Sequence, residues 1–170
     1  MSIKTINAVK TLTKTAAVAA VYVTLTLSVY PMAFGAVQFR ISEMLTVLPF
    51  IMPEAAAGLF IGCIISNFLS PNIVLLDVVF GSLATLTAAL MTSRAPNKWL
   101  APLPPVIVNA VVIGAVITYS MAAGQSFAAA FAYNSLTVGL GQFIVCYGLG
   151  IPLLIIIKKL KIGVNFEKHD

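Results

Sequence analysis

The side chains able to do chemistry in this chain are few and are separated by long apolar runs. Five acidic residues, ten basic ones and one histidine carry its formal charges across 170 residues. Inside or beside the apolar runs stand Gln38, Arg40, Glu43, Asn67, Asp77, Asn134 and Gln142. A charged group at membrane depth costs several kcal/mol unless it is paired or hydrated, so such residues mark a functional site by default. Arg40 and Glu43 are three residues apart and share a helical face. Gln142 lies two turns beyond Asn134 on the same face. Two carboxylates, a guanidinium and four amides can accept and donate hydrogen bonds around a small polar molecule. The competing reading is that Arg40 and Glu43 neutralise each other while the amides cap helix ends. Asp77 resists that reading, having no basic residue near it in sequence.

Catalysis has little to work with. His169, in the polar tail, is the single histidine, so no histidine base, metal ligand or Ser-His pair stands within the apolar segments. A di-aspartyl membrane protease needs two aspartates in spans, and Asp77 alone qualifies. No GxxxxGK[ST] and no GxGxxG occurs, so neither ATP nor a dinucleotide is expected to bind through those loops, and no cofactor is expected in this chain. Any energy must then come from ions or from a partner. Cys63 and Cys146 lack CxxC spacing and a neighbouring histidine, which predicts free buried thiols and no metal site. Glu54 follows Pro53 at a helix start, where a carboxylate favours the dipole, and reads as a cap. Asn109, after Pro104 and Pro105, either satisfies freed backbone or touches a ligand.

The elements that must position these groups follow from composition. Hydrophobic residues make up 60% of the chain and charged ones 9%, against about 25% charged in a soluble domain. The chain reads as a single all-α integral membrane domain, its uncharged runs answering to bilayer spans of about 20 residues. Prolines, turns and small-residue stretches divide it into six apolar segments, at about 13–30, 40–52, 53–69, 73–92, 105–121 and 133–157. The first is read as a span and not as a signal peptide, despite Ala33-Phe34-Gly35-Ala36 after it. The second is short for a span, and Gly58, Gly62 and Ser66 give the third a small face that admits another helix. The stretch 122–132 reads as a loop with a short interfacial helix. Nine basic residues, Lys4, Lys10, Lys14, Arg94, Lys98, Lys158, Lys159, Lys161 and Lys168, fall on one side of six passes, which puts both termini in the cytoplasm. With that topology the polar residues from Gln38 to Gln142 converge in the outer third, while Glu54 and Asn109 lie toward the cytoplasm. The basic excess is therefore a matter of topology, and no nucleic-acid partner is expected.

Six segments taken together, Gln38-Phe39-Arg40-Ile41-Ser42-Glu43, Leu48-Pro49-Phe50 with Pro53-Glu54, Gly58 to Cys63, Leu76 to Thr85, Leu103 to Asn109 and Val145-Cys146-Tyr147, resemble the QueT family in order and over nearly the whole chain. The resemblance implies a six-helix S-component bundle, the substrate-binding membrane subunit of an energy-coupling factor (ECF) transporter for queuosine precursors. It implies partners as well, a T-component and two ATPase subunits in which ATP is hydrolysed. S-components are similar to one another in an AxxxA motif on the first helix that packs on the T-component, and Ala16 and Ala20 supply it here, although such a pair can also pack internally. The implied ligand, a 7-deazaguanine, offers an N1 hydrogen and an exocyclic amine that one carboxylate, Glu43 or Asp77, can accept together, while its O6 needs a donor such as an amide or Arg40. Phe34, Phe39, Phe68 and Tyr133 are available to stack on the heterocycle. An S-component for another vitamin or nucleobase would keep the fold and change the pocket. An ion-coupled small-molecule transporter would need no ATPase partner.

Overall fold

The computed structural model describes residues 2–33, 39–70, 75–121 and 126–160, and among them every element is helical. In chain order these are α1 (Ile3–Ser28), a four-residue turn α2 (Tyr30–Ala33), a 3₁₀ helix (Ile41–Phe50) and α3 (Ala55–Phe68). A π turn (Asp77–Gly81) then runs into α4 (Ser82–Thr92), followed by α5 (Leu103–Met121) and α6 (Phe127–Val145). A second π turn (Cys146–Gly150) joins α6 to α7 (Ile151–Leu160). Three helices are long and apolar enough to cross a membrane: Ile3–Ser28, Leu103–Ser120 and the continuous Phe127–Leu160. The shorter apolar helices are Ile41–Phe50, Ala55–Phe68 and Asp77–Thr92. Large apolar side chains such as Leu75, Phe80, Leu136 and Ile144 point outward, as lipid-facing residues do and as those of a soluble protein rarely do in such number.

Several boundaries move from their expected places for physical reasons. Residues 127–132, expected within a loop that carries a short interfacial helix, are the first turns of α6, where alanine, the strongest helix former, dominates. The bend expected at Gly150 and Pro152 takes the form of the second π turn. Proline cannot donate a backbone hydrogen bond, and the wider π geometry is a common way for a long helix to absorb such a gap.

The second segment differs most from expectation. It is a ten-residue 3₁₀ helix, rising about 2 Å per residue and so reaching about as far as a thirteen-residue α-helix. Side chains of a 3₁₀ helix repeat every three residues and form three rows. The row Ser42, Leu45, Leu48 meets α1 and α3, joining Val18, Tyr22, Leu59 and Cys63 in the main apolar core, with Ser42 Oγ 2.6 Å from Thr26 Oγ1. The row that includes Val47 and Phe50 packs on Leu154 of α7 and on Ala95 and Ala101. The row Arg40, Glu43, Thr46 carries the polar groups. All three are buried, and so is most of this helix. A 3₁₀ helix of this length is uncommon in isolation and depends on such packing.

The remaining helices wrap around it. The small face of α3 faces α1 so closely that a Cβ on Gly58 would stand 2.5 Å from the Thr15 carbonyl oxygen, and one on Gly62 3.0 Å from Tyr22 Cβ. Helix α3 then packs on α4, α4 on α5, and α5 on α6, and the 3₁₀ helix closes the ring between α6 and α1.

Candidate functional site

The polar row of the 3₁₀ helix opens onto the space between α1, α3, α4, α5 and α6. Glu43 is 1% exposed, and its carboxylate is held from two sides. Tyr22 of α1 donates its hydroxyl to Oε1 at 2.5 Å, and Asn109 of α5 donates its amide to Oε2 at 3.3 Å. Arg40, also buried, donates from Nη2 to Asn67 Oδ1 at 2.9 Å and from Nε to the Ala33 carbonyl at 3.2 Å. The two charges thus sit one 3₁₀ turn apart with different hydrogen-bond partners, and the simple mutual pair is not what fixes them. Asn67 uses its other end to donate to the backbone oxygen of Asp77 at 2.8 Å, linking α3 to the first π turn.

Asp77 contrasts with Glu43. One carboxylate oxygen, Oδ1, is buried without a hydrogen-bond partner, and Arg40 is the opposite charge that acts on it. A buried unpaired acceptor is costly and uncommon in native proteins, and it is where a ligand donor gains most. On the opposite wall, Gln142 is buried and its Oε1 lies 3.5 Å from Cys146 Sγ at the start of the second π turn. That thiol also approaches the Glu43 carbonyl, at 3.5 Å. The other thiol, Cys63, lies 3.5 Å from both Asn67 Nδ2 and Thr85 Oγ1. Both cysteines are free and buried, as expected. Among the described residues no cluster of three histidine, cysteine or acidic side chains could hold a metal.

Arg40, Glu43, Gly81, Thr85, Asn109 and Gln142 line a common cavity. It offers about 10 Å³ to the centre of a water molecule, room for about one water. A bicyclic heterocycle enters only if the surrounding elements part. Both π turns border this space, one through Gly81 and the other through Cys146 beside Gln142, and π turns recur at functional sites in helices.

The structure therefore brings Arg40, Glu43, Asn67, Asp77 and Gln142 together. Asn134 lies apart, its amide donating to Thr118 Oγ1 of α5 at 3.0 Å. Gln38 and Phe34 lie outside the described residues. Phe68 and Tyr133 are exposed and do not line the cavity. Asn109, expected nearer the other membrane face, donates to Glu43 and so joins the cluster. Glu54 does occupy the N-cap position of α3 but makes no side-chain cap; its carboxylate takes the Lys14 ammonium at 3.0 Å instead. Tyr22, Thr85 and the two thiols are members that sequence reasoning missed. A signal for Tyr22 was present, since it falls on the face of Val18 and Thr26 at four-residue spacing. On α1 the buried residues are Val18, Ala19, Tyr22 and Thr26, whereas Ala16 and Ala20 are exposed. Internal packing of the AxxxA pair is thus not what the fold uses it for.

Comparison with known proteins places this geometry. The family model described as QueT transporter matches residues 12–159. The Queuosine precursor transporter QueT of Lactococcus lactis subsp. cremoris (strain MG1363) is 45% identical over 73 residues, 42% of this chain and 42% of the relative. The aligned region therefore spans less than half of that relative's length. No solved structure matches. The family match runs from α1 into α7 and takes in every residue of the polar cluster, so this chain belongs to the QueT transporter family.

Proposed function

We propose that the chain is the substrate-binding membrane subunit of an ECF-type importer and captures a queuosine precursor, a 7-deazaguanine, from outside the cell. The observation that carries the reading is the buried cluster itself. A fully buried carboxylate, Glu43, is oriented by Tyr22 and Asn109 beside a cavity that also holds Arg40 and Gln142, with the unpartnered Asp77 oxygen close by. The heterocycle's N1–H and exocyclic amine are adjacent donors and suit a carboxylate, and its O6 suits Arg40 or the Gln142 amide. The family match and the name of the lactococcal relative support this ligand class.

In this reading the protein makes six passes in the cell membrane, its lysine-rich end lies in the cytoplasm, and both termini lie there too. ATP is bound and hydrolysed by two partner ATPases, and no cofactor resides in this chain. The T-component docks on the exposed Ala16 and Ala20 face of α1, where small side chains let a second helix approach. Calorimetry in detergent with a 7-deazaguanine tests the pocket. Glu43→Gln and Asp77→Asn are each expected to weaken binding by about 1.5–3 kcal/mol, the range for a hydrogen bond to a charged group. Parental affinity in both variants would move the pocket elsewhere.

A further inference from the structure

A wide concavity lies away from the polar cluster, between the turn after α4 and the last helix. It has a volume of about 680 Å³, within the range of small-molecule sites. Its back is apolar, formed by Phe50 and Ile51 at the end of the 3₁₀ helix and by Leu154 and Ile155 of α7. Its other lining residues include Lys98, Trp99, Lys158 and Lys159, and among the described residues no carboxylate lines it. The turn that carries Lys98 and Trp99 is held firmly. Asn97 Oδ1 accepts from the backbone N–H groups of Trp99 and Leu100, at 3.1 and 3.0 Å, and Thr92 Oγ1 donates to the Ala101 carbonyl at 3.0 Å. This rigid turn presents the chain's single tryptophan 59% exposed, with Lys98 Nζ 5.4 Å from the ring centroid.

We propose that this groove binds an anionic glycerophospholipid, its acyl chains lying against Phe50, Ile51, Leu154 and Ile155 and its phosphate drawn to Lys98, Lys158 and Lys159. The charge complementarity is one-sided, since Lys98 and Lys159 face the groove and no carboxylate stands among its described lining residues. Along α7 the exposed Ile155 and Ile156 give way within two residues to Lys158 and Lys159. That apolar-to-basic change, with a tryptophan beside it, is the chemistry of the headgroup level of a bilayer. A free phosphate would leave the apolar back of the groove unused, whereas a lipid covers it and satisfies the cations at once.

Because Trp99 is the single tryptophan, its fluorescence reports the groove directly. The full chain is placed in nanodiscs of phosphatidylcholine doped with dibrominated phosphatidylglycerol or, separately, dibrominated phosphatidylcholine. The anionic lipid is expected to quench Trp99 more strongly at equal mole fraction. Lys98→Gln with Lys159→Gln should weaken that preference by about fivefold per lysine, while Lys4→Gln with Lys10→Gln, removing equal charge elsewhere on the chain, should leave it intact. Equal quenching by the two lipids overturns the proposal and leaves an interfacial tryptophan only. An equal loss in the Lys4 and Lys10 variant also overturns it, because diffuse surface charge then explains the preference. Loss of all lipid quenching when partner subunits are co-purified, with no anionic preference in their absence, assigns the groove to protein docking instead.

Discussion

Helix α1 presents two stripes that differ in almost everything except their backbone. The inner one, Val18, Ala19, Tyr22 and Thr26, is buried against α3 and the 3₁₀ helix and delivers a hydroxyl to Glu43. The outer one, with Ala16 and Ala20, is exposed. A change on the inner stripe is felt by a cavity that already leaves room for little more than a water. A change on the outer stripe is felt only by whatever docks there. On the function proposed above, one helix separates ligand capture from coupling, and variants should break the two independently.

The largest expected effect lies on the outer stripe. Ala16→Trp with Ala20→Trp should abolish uptake by cells and co-purification with a T-component, while ligand affinity measured in detergent stays near parental. Small residues are what permit close helix approach, and two indoles at one-turn spacing remove it. Uptake at the parental rate in the double variant would place the coupling surface elsewhere and end the division of labour on α1.

The inner stripe is tested by Tyr22→Phe. This change keeps the ring that fills the core and removes the 2.5 Å hydrogen bond to Glu43. If the carboxylate is charged, the loss should cost about 1.5–3 kcal/mol of unfolding free energy, measured by titration in mixed micelles. Side-chain hydrogen bonds between membrane helices average only about 0.6 kcal/mol. A cost near that lower figure would show that the Tyr22 hydroxyl contributes no more than an ordinary interhelical hydrogen bond.

How much of this was legible in the sequence depends on what each residue signals alone. Composition gave the membrane class, and charge scarcity singled out Arg40, Glu43, Asp77 and Gln142, because an ionisable or amide side chain among apolar runs needs a reason. The small face of α3 was readable from Gly58 and Gly62, since close approach is what glycine at that spacing permits. Thr85 was not, and Tyr22 showed only its face with Val18 and Thr26, because a tyrosine or threonine in an apolar helix is ordinary until its partner is known. The contact of Asn109 with Glu43 was not legible for a geometric reason: the second segment was counted with the α-helical rise, and a 3₁₀ helix both stretches the segment and sets its side chains in three rows. Asn134 shows the converse: an amide on the expected face of α6 finds Thr118 within hydrogen-bond reach and is used there.

The α1–α3 contact comes next, below the inner stripe in expected effect. Gly58→Leu would drive a side chain toward the Thr15 backbone oxygen, which cannot swing aside as a side-chain tip can. Overpacking of this kind costs about 1–3 kcal/mol, and the two helices can yield partly by sliding. The same micelle titration measures it. The expected companion is weakened ligand binding, because Tyr22 rides on the displaced helix. Normal affinity with reduced stability would show that the inner stripe tolerates movement, and would loosen the link between α1 packing and the cavity.

The smallest effect belongs to the ion pair at the basic end of α1. Lys14 and Glu54 meet at 3.0 Å, but their side chains are 36% and 26% exposed, so water and salt compete for both charges. Exposed pairs of this kind contribute about 0.2–1 kcal/mol, far less than removing a donor from the buried Glu43. Lys14 has further interactions, so Lys14→Gln alone would mix them with the pair. A double-mutant cycle with Glu54→Gln isolates the coupling. The coupling should fall within that range and shrink as salt is raised, because screening acts on exposed charges over about a Debye length. Ligand affinity should not change in any corner of the cycle, since neither residue lines the cavity. A coupling above about 2 kcal/mol that persists in salt would mean that this end of α1 is as shielded as the Glu43 cluster. The contrast between an open end that docks and an enclosed stripe that binds would then have to be redrawn around the Lys14–Glu54 contact.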